Sequence, residues 1–234
     1  MTIELRVYLI IISIFLLCGT INGCITSTHN VNGKIESVVK ESNDKNNSVK
    51  PPKARKLVAV AGFENKSTYS ADKLWETAAQ LLAAHLVKKD YFRVVEWQKM
   101  KQLFDWDVLS TANIVATPDN RQRARDILLC ELFVGGVVSY FDVSQTAKVS
   151  ALSKSKVINT TVRVDLWLQD AQTGEYIAAA SGEGQAQQEY KGSPFGGKIG
   201  TWDPQSADFS LNAAIGTALD KLIQQYEIKN KEKL

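Results

Sequence analysis

Histidine occurs only twice and cysteine three times in this chain, and that scarcity removes several chemistries. His29 has no cysteine, histidine or carboxylate at a ligand spacing, so it does not announce a metal site. His85 follows Leu81 and Leu82 at helical spacing, the pattern of a core or boundary histidine. Neither histidine has an obvious route to Cys130, which sits in the apolar stretch Ile127-Leu-Leu-Cys130 and reads as a small buried hydrophobe. GxSxG, HExxH and CxxC patterns are all missing, which leaves no nucleophile, zinc or dithiol site to build on. The nearest approach to a nucleotide motif is Gly192-Ser-Pro-Phe-Gly-Gly-Lys-Ile199. Its GxxxxGK spacing ends on Ile199 where a hydroxyl must reach magnesium, and Gly200-Thr-Trp-Asp-Pro204 follows instead of a helix start. Asp105 and Asp107 point to different sides of a helix end and read as a solvated turn. The reading is therefore non-enzymatic, with no catalytic residue, no cofactor and no metal. A net charge of +3, from 28 Lys+Arg against 25 Asp+Glu, is too balanced to imply a nucleic-acid partner.

Long apolar runs are missing too. The most apolar stretch, from Val7 to Cys18 after Arg6, falls short of the roughly 20 residues that a spanning helix needs, and small and polar residues follow it. This is the pattern of a secretory signal over residues 1–23. Ile21-Asn22-Gly23-Cys24 places an aliphatic residue three positions before a cysteine and a small residue directly before it, as a lipoprotein signal peptidase requires. Cleavage between Gly23 and Cys24 leaves Cys24 to carry an S-diacylglycerol and an N-palmitoyl group. Leu17 before Cys18 is too bulky for the same role, so Cys18 leaves with the signal. An ordinary secretory signal cleaved nearby is the alternative. Ile25, in place of an aspartate that retains lipoproteins at the inner membrane in many bacteria, suits export to the outer membrane.

Residues 24–56 are rich in Thr, Ser, Asn, Lys and Glu, with Pro51-Pro52 near the end, and hold too little apolar surface to fold alone. They read as a lipidated, disordered tether; a flexible coil of about 30 residues spans on the order of 30 Å. The folded part, residues 57–228, is long enough for one core. Leu57-Val-Ala-Val-Ala-Gly-Phe63 reads as a buried strand. Ser70 is placed to cap a helix, with Lys73 at the capping-box position. That helix runs to Lys89 with Leu74, Ala78, Leu81, Leu82 and Leu86 on one face. Phe92–Glu96 gives a second strand, Trp97–Phe104 a helix, and Asp119–Leu129 another, opened by Pro118 or Asp119. Leu132–Phe141 is strand-like, its Gly135-Gly136 pair pointing to a bulge or a close backbone approach. Val162, Val164, Leu166 and Leu168 alternate with Arg163, Asp165, Trp167 and Gln169 in a half-buried strand, and Gln172-Thr-Gly-Glu175 turns it into Tyr176–Glu183 as a hairpin. Trp167 faces either outward, as a partner surface, or into a core covered on both sides. A last helix from Asp208 carries Leu211, Ile215, Leu219, Leu222 and Tyr226 on one stripe. The order is β-α-β-α-α-β-β-β-α, an α/β (α+β) fold with a mixed sheet covered by helices.

Four stretches, in order, carry a resemblance: Val58-Ala-Val-Ala-Gly-Phe-Glu-Asn65, Leu86-Val-Lys-Lys-Asp-Tyr-Phe-Arg-Val-Val-Glu96, Phe133-Val-Gly-Gly-Val-Val-Ser139 and Val164-Asp-Leu-Trp-Leu-Gln-Asp-Ala-Gln-Thr-Gly-Glu175. With the lipidation motif and the tether they make the chain resemble the CsgG family, the curli production assembly and transport lipoproteins of bacterial outer membranes. The resemblance implies a CsgG-like periplasmic domain hung from the outer membrane by its lipid, assembling as a homo-oligomer and serving secretion or assembly of extracellular, curli-like material. In channel-forming members two segments per subunit refold as membrane hairpins around a protein cargo; here they correspond to residues 142–161 and 184–207. The first carries Lys148, Lys154 and Lys156 and has room for two short strands; the second is rich in Gln and Glu. Both are poor lipid-facing surfaces. Residues 66–72 are short for a pore constriction. Similar domains activate penicillin-binding proteins as accessory lipoproteins, the alternative role, in which an envelope enzyme is the partner and no barrel forms.

Overall fold

A computed structural model of the chain describes residues 34–38, 51–52, 54–69, 73–150, 153–192 and 200–232. Their strands are β1 (Lys34–Val38), β2 (Leu57–Asn65), β3 (Arg93–Val94), β4 (Leu132–Val149), β5 (Lys154–Asp170) and β6 (Tyr176–Gly192). The helices are α1 (Leu74–Lys89), α2 (Trp97–Leu103), α3 (Trp106–Ser110), α4 (Asn113–Ala116), α5 (Pro118–Leu128) and α6 (Gln205–Glu232). One mixed sheet has the order β1-β6-β5-β4-β2-β3. β2 runs parallel to β3 and β4, whereas β4, β5, β6 and β1 are antiparallel neighbours.

The alternation of β5 decides which face is filled. Ile158, Val162, Val164, Leu166 and Leu168 are buried on one side, and α6 packs there across β5 and β6, with α1 beside it against β2. Its stripe of Leu211, Ala214, Ile215, Ala218, Leu219 and Leu222 is buried, so the apolar face at 3.6-residue spacing meets the apolar face at two-residue spacing. Gly184 is what lets helix and strand touch: a Cβ there would stand 2.0 Å from the Ser210 carbonyl oxygen. β2 is buried on both sides, through Val58, Ala59, Val60, Ala61 and Phe63. The short helices α2, α3 and α4, which also contact β2, close its other face.

Local starts and stops follow side-chain chemistry where they are described. Pro118 opens α5 at its first turn, a position where a missing N–H costs nothing. The β5–β6 turn is fixed by Asp170, whose Oδ1 accepts the N–H groups of Gln172 and Thr173 at 2.8 and 2.9 Å, and by Gly174 at φ 79. Ser70 lies outside the described residues; α1 begins at Leu74 after Lys73, which has φ 62 and makes no capping bond. Of the strand expected over Phe92–Glu96, Arg93–Val94 forms β3, in register with Leu57 and Val58, and the Val95 N–H also donates to the Val58 carbonyl at 2.8 Å.

Three elements go beyond the sequence reading. Helix α3 begins within the stretch Asp105–Asp107 read as a turn, with Asp105 just before it and Asp107 in its first turn, both exposed, and α4 lies in a stretch given no element. Strand β1 lies inside residues 24–56, read as a tether throughout. Composition excludes a segment that folds by itself, but not one that adds to an existing edge, and β1 pairs with β6 from Lys34↔Glu189 to Val38↔Gln185.

Candidate interaction surface

Of the two segments singled out for membrane hairpins, residues 142–149, 154–161 and 184–192 are part of this sheet, and residues 205–207 open α6. Residues 142–149 and 154–161 continue β4 and β5 as a hairpin paired from Asp142↔Thr161 to Val149↔Lys154. β6 then pairs with the same stretch of β5, as far as Lys154↔Gly192. Residues 193–199, which include the glycine-rich loop, lie outside the described residues. From Gly200 the chain returns over the hairpin: Lys156 Nζ donates to the Gly200 carbonyl at 3.2 Å, and the Tyr190 hydroxyl to the Thr201 carbonyl at 2.7 Å.

A buried polar network closes this region. Thr160, Ser206 and Ser210 are each 0 % exposed. The Trp202 indole N–H donates to Thr160 Oγ1 at 2.9 Å, and Thr160 and Ser206 hydroxyls meet at 3.1 Å. Ser210 Oγ donates to the carbonyls of Thr160 and Ser206 at 3.0 and 2.8 Å. The Asp203 N–H donates to Gln188 Oε1 at 3.1 Å. Hydroxyls at these positions can satisfy one another where an apolar neighbour would strand them. Tyr69 stacks on Phe141 with centroids 4.0 Å apart, and Trp202 meets both rings edge-on, so the loop after β2 is drawn onto the same cluster.

Among the described residues, nothing beyond the short helices covers the opposite face of β4, β5 and β6. Trp167 lies on it, half-buried over Gly135, where a Cβ would stand 2.2 Å from the indole ring. The glycine pair is thus a close approach by side chains, while the β4 bulge falls between Val138 and Tyr140. Tyr176 packs edge-on against Trp167 with centroids 5.9 Å apart and remains 64 % exposed, as Tyr140 is 49 % exposed. Arg163 Nε lies 3.4 Å from Asp165 Oδ1. Burial raises the pKa of Asp165, but hydrogen bonds from Ser139 and Ser181 and the Arg163 charge outweigh it and hold the carboxyl below its usual value. Aromatic rings beside a fixed ion pair, on a face without a covering layer, make a surface suited to protein contact.

Other expected residues fall elsewhere. His85 is half-buried and its Nε2 lies 2.9 Å from Asn212 Oδ1, joining α1 to α6. Cys130 is a buried free thiol. Its pKa is pushed up to about 12, chiefly by burial, against smaller opposing effects of a backbone hydrogen bond and Arg125. Cys18, Gly23, Cys24 and His29 lie outside the described residues. Among the described residues no three His, Cys, Asp or Glu gather to hold a metal ion, and no helix is long and apolar enough to cross a membrane.

A family model described as curli production assembly/transport component CsgG matches residues 40–233. No curated protein matches the chain. Among solved structures, a PelC dodecamer from Paraburkholderia phytofirmans is similar at 13 % identity and a TM-score of 0.36, covering 81 % of this chain and 97 % of that one. Lipoprotein GNA1162 from Neisseria meningitidis is similar at 14 % identity and a TM-score of 0.41, covering 75 % and 99 %. The C-terminal domain of LpoB from Salmonella enterica is similar at 16 % identity and a TM-score of 0.37, covering 57 % and 86 %.

Proposed function

The chain belongs to the CsgG family, matched over residues 40–233, and from that premise we propose that it is an outer-membrane lipoprotein facing the periplasm. Its signal, residues 1–23, is removed between Gly23 and Cys24, and acylated Cys24 holds the domain to the membrane. There it serves secretion or assembly of extracellular, curli-like material as a homo-oligomeric, non-enzymatic subunit that binds a protein cargo. The family match carries this reading. The pairing of residues 142–149 with β5 and of residues 154–161 with β6, and the closure of Thr160 by Trp202 and Ser206, supports a ring that stays on the periplasmic side. Insertion as membrane hairpins would have to break that network and expose Lys148, Lys154 and Lys156 to lipid, at a cost of several kcal/mol per buried cation at mid-bilayer.

A second role is favoured by the open face carrying Tyr140, Arg163, Asp165, Trp167 and Tyr176: docking on an envelope enzyme such as a penicillin-binding protein, with that face as the contact.

The test begins with Cys24→Ala, which is expected to move the protein from the outer-membrane fraction to the soluble periplasm; unchanged fractionation defeats the anchor. Purified lipidated protein is expected to run as a ring and to leave planar bilayers non-conducting; steady large-conductance steps establish a channel instead. Crosslinking in intact envelopes separates the two roles, since capture of exported material supports the first and capture of a cell-wall synthase the second.

A further inference from the structure

The outer edge of β6 is covered in two different ways. From Ile177 to Ser181 it is capped by α6: Lys229 Nζ donates to the Ile177 carbonyl at 2.7 Å, Gln225 Oε1 accepts the Ala179 N–H at 3.4 Å, and Lys221 Nζ donates to the Ser181 carbonyl at 3.2 Å. Four helical residues rise about 6 Å and two strand residues about 6.8 Å, so one helical stripe can follow one strand edge. From Gln185 to Glu189 the edge is covered by β1. The first cover is part of the core helix. The second is five residues of the tether, at the rim of the sheet and tied to β2 by residues 39–56.

We infer that the β1–β6 pair is a releasable clamp, a strand-addition site at Gln185–Glu189 whose resident is this chain's own Lys34–Val38. The register sets Lys34 opposite Glu189 and Glu36 opposite Gln187. A five-residue edge strand closing a loop of this length is weak enough to detach while the rest of the sheet persists. The consequence rests on the proposed Cys24 anchor. With β1 paired, the first sheet residue lies about 10 positions beyond Cys24 in sequence, a reach of at most about 35 Å; with β1 released, the first is Leu57, about 33 positions on, a reach of at most about 115 Å. Release therefore lengthens the leash about threefold and bares a strand edge at the same time.

The experiment uses the full-length lipidated protein. Glu36→Cys with Gln187→Cys is expected to oxidise within one chain, giving a faster-migrating monomer on non-reducing gels, whereas Glu36→Cys with Gln172→Cys stays reduced. Failure of the in-register pair, or a dimer in its place, overturns the clamp. Glu36→Pro removes a ladder donor from β1, because Ile177, Ala179 and Ser181 turn their backbone groups to the outer edge and at the same parity Gln187 faces its register partner Glu36. It is expected to lower hydrogen-exchange protection at Gln185–Glu189 at least tenfold with an unchanged Tm; unchanged protection at Gln185–Glu189 overturns the pairing. In phosphatidylethanolamine/phosphatidylglycerol vesicles with a dansyl lipid, tryptophan-to-dansyl transfer is expected to fall at least twofold in Glu36→Pro and to stay high in the oxidised double cysteine. Equal transfer in all variants overturns the leash. If no variant binds vesicles, it is the anchor that fails, and the disulfide and exchange readouts still decide the clamp.

Discussion

Thr160 accepts the indole N–H of Trp202 at 2.9 Å while its own hydroxyl meets Ser206 at 3.1 Å. One buried threonine thereby holds the returning chain and the start of α6 to the hairpin that the family resemblance had marked for the membrane. Trp202→Phe removes a single donor and leaves Thr160 its contact with Ser206; a loss of about 1 kcal/mol is expected in urea unfolding. Thr160→Val leaves the Trp202 N–H without its acceptor, while the Ser206 hydroxyl still donates to the Asp203 carbonyl at 2.6 Å, and is expected to cost about 2 kcal/mol. Equal losses would show that the hydroxyl does not organise the network.

Two glycines make opposite demands on their neighbours. At Gly135 a new Cβ meets the Trp167 side chain, which can swing toward solvent; at Gly184 it meets the Ser210 carbonyl oxygen and Ala214 backbone nitrogen of α6, which cannot yield without moving the helix. Gly135→Ala is expected to cost about 1–2 kcal/mol and to red-shift tryptophan emission, and Gly184→Ala more than about 3 kcal/mol. Trp167→Ala in the Gly135→Ala background is expected to restore part of the loss, with no such rescue for Gly184→Ala.

Stability has a limb at each end of the pH scale. Burial first, then the charges of Glu227 and Tyr226, pushes the Tyr91 phenol from 10.0 up to about 12. A pKa raised in the fold stabilises below the unfolded value, and that contribution disappears as pH climbs from about 10 toward 12. Asp170 is the reverse case: burial raises its carboxyl, but the N–H groups of Thr173 and Gln172 prevail and hold it below its ordinary value of 3.8. Its contribution is present above about pH 4 and lost as pH falls below that. Tyr91→Phe is expected to flatten the alkaline limb and Asp170→Asn the acid limb, each measured by denaturant midpoints across pH.

Cys130 is expected to resist alkylation. With its pKa near 12, iodoacetamide at pH 8 should label the native thiol at least about a hundredfold more slowly than the urea-unfolded chain. Rapid native labelling would place Cys130 in an accessible site.

How far the fold could be read depended on whether burial left a periodic trace. Val162, Val164, Leu166 and Leu168 alternate cleanly because the helix side of β5 is apolar and its other face is open, and Leu211 to Tyr226 keep helical spacing for the matching reason. The far halves of β4, β5 and β6 leave a fainter trace. Ser144, Gln145, Thr146, Gln185 and Gln187 stand on exposed or half-buried strand, and Thr160 and Gln188 are buried through hydrogen bonds; neither pattern resembles an apolar alternation. Helices α3 and α4 are too short to show a repeat. Trp167 was ambiguous because only the position of the covering helices determines which side of β5 is outside.

The sequence by itself determined the chemistry that travels with local residues: a lipidation motif at Cys24, an apolar strand at Leu57–Phe63, the amphipathic stripe of the last helix, the turn at Gln172–Glu175, and the four stretches that mark the family. Tertiary structure alone decided what depends on partners distant along the chain. It joined residues 142–149 to β5 and residues 154–161 to β6, set Trp202 on Thr160, and ran Lys221, Gln225 and Lys229 along the edge of β6. It also drew five tether residues into the sheet, because a strand edge takes its hydrogen bonds from any backbone within reach, and composition records only that such a segment cannot fold alone.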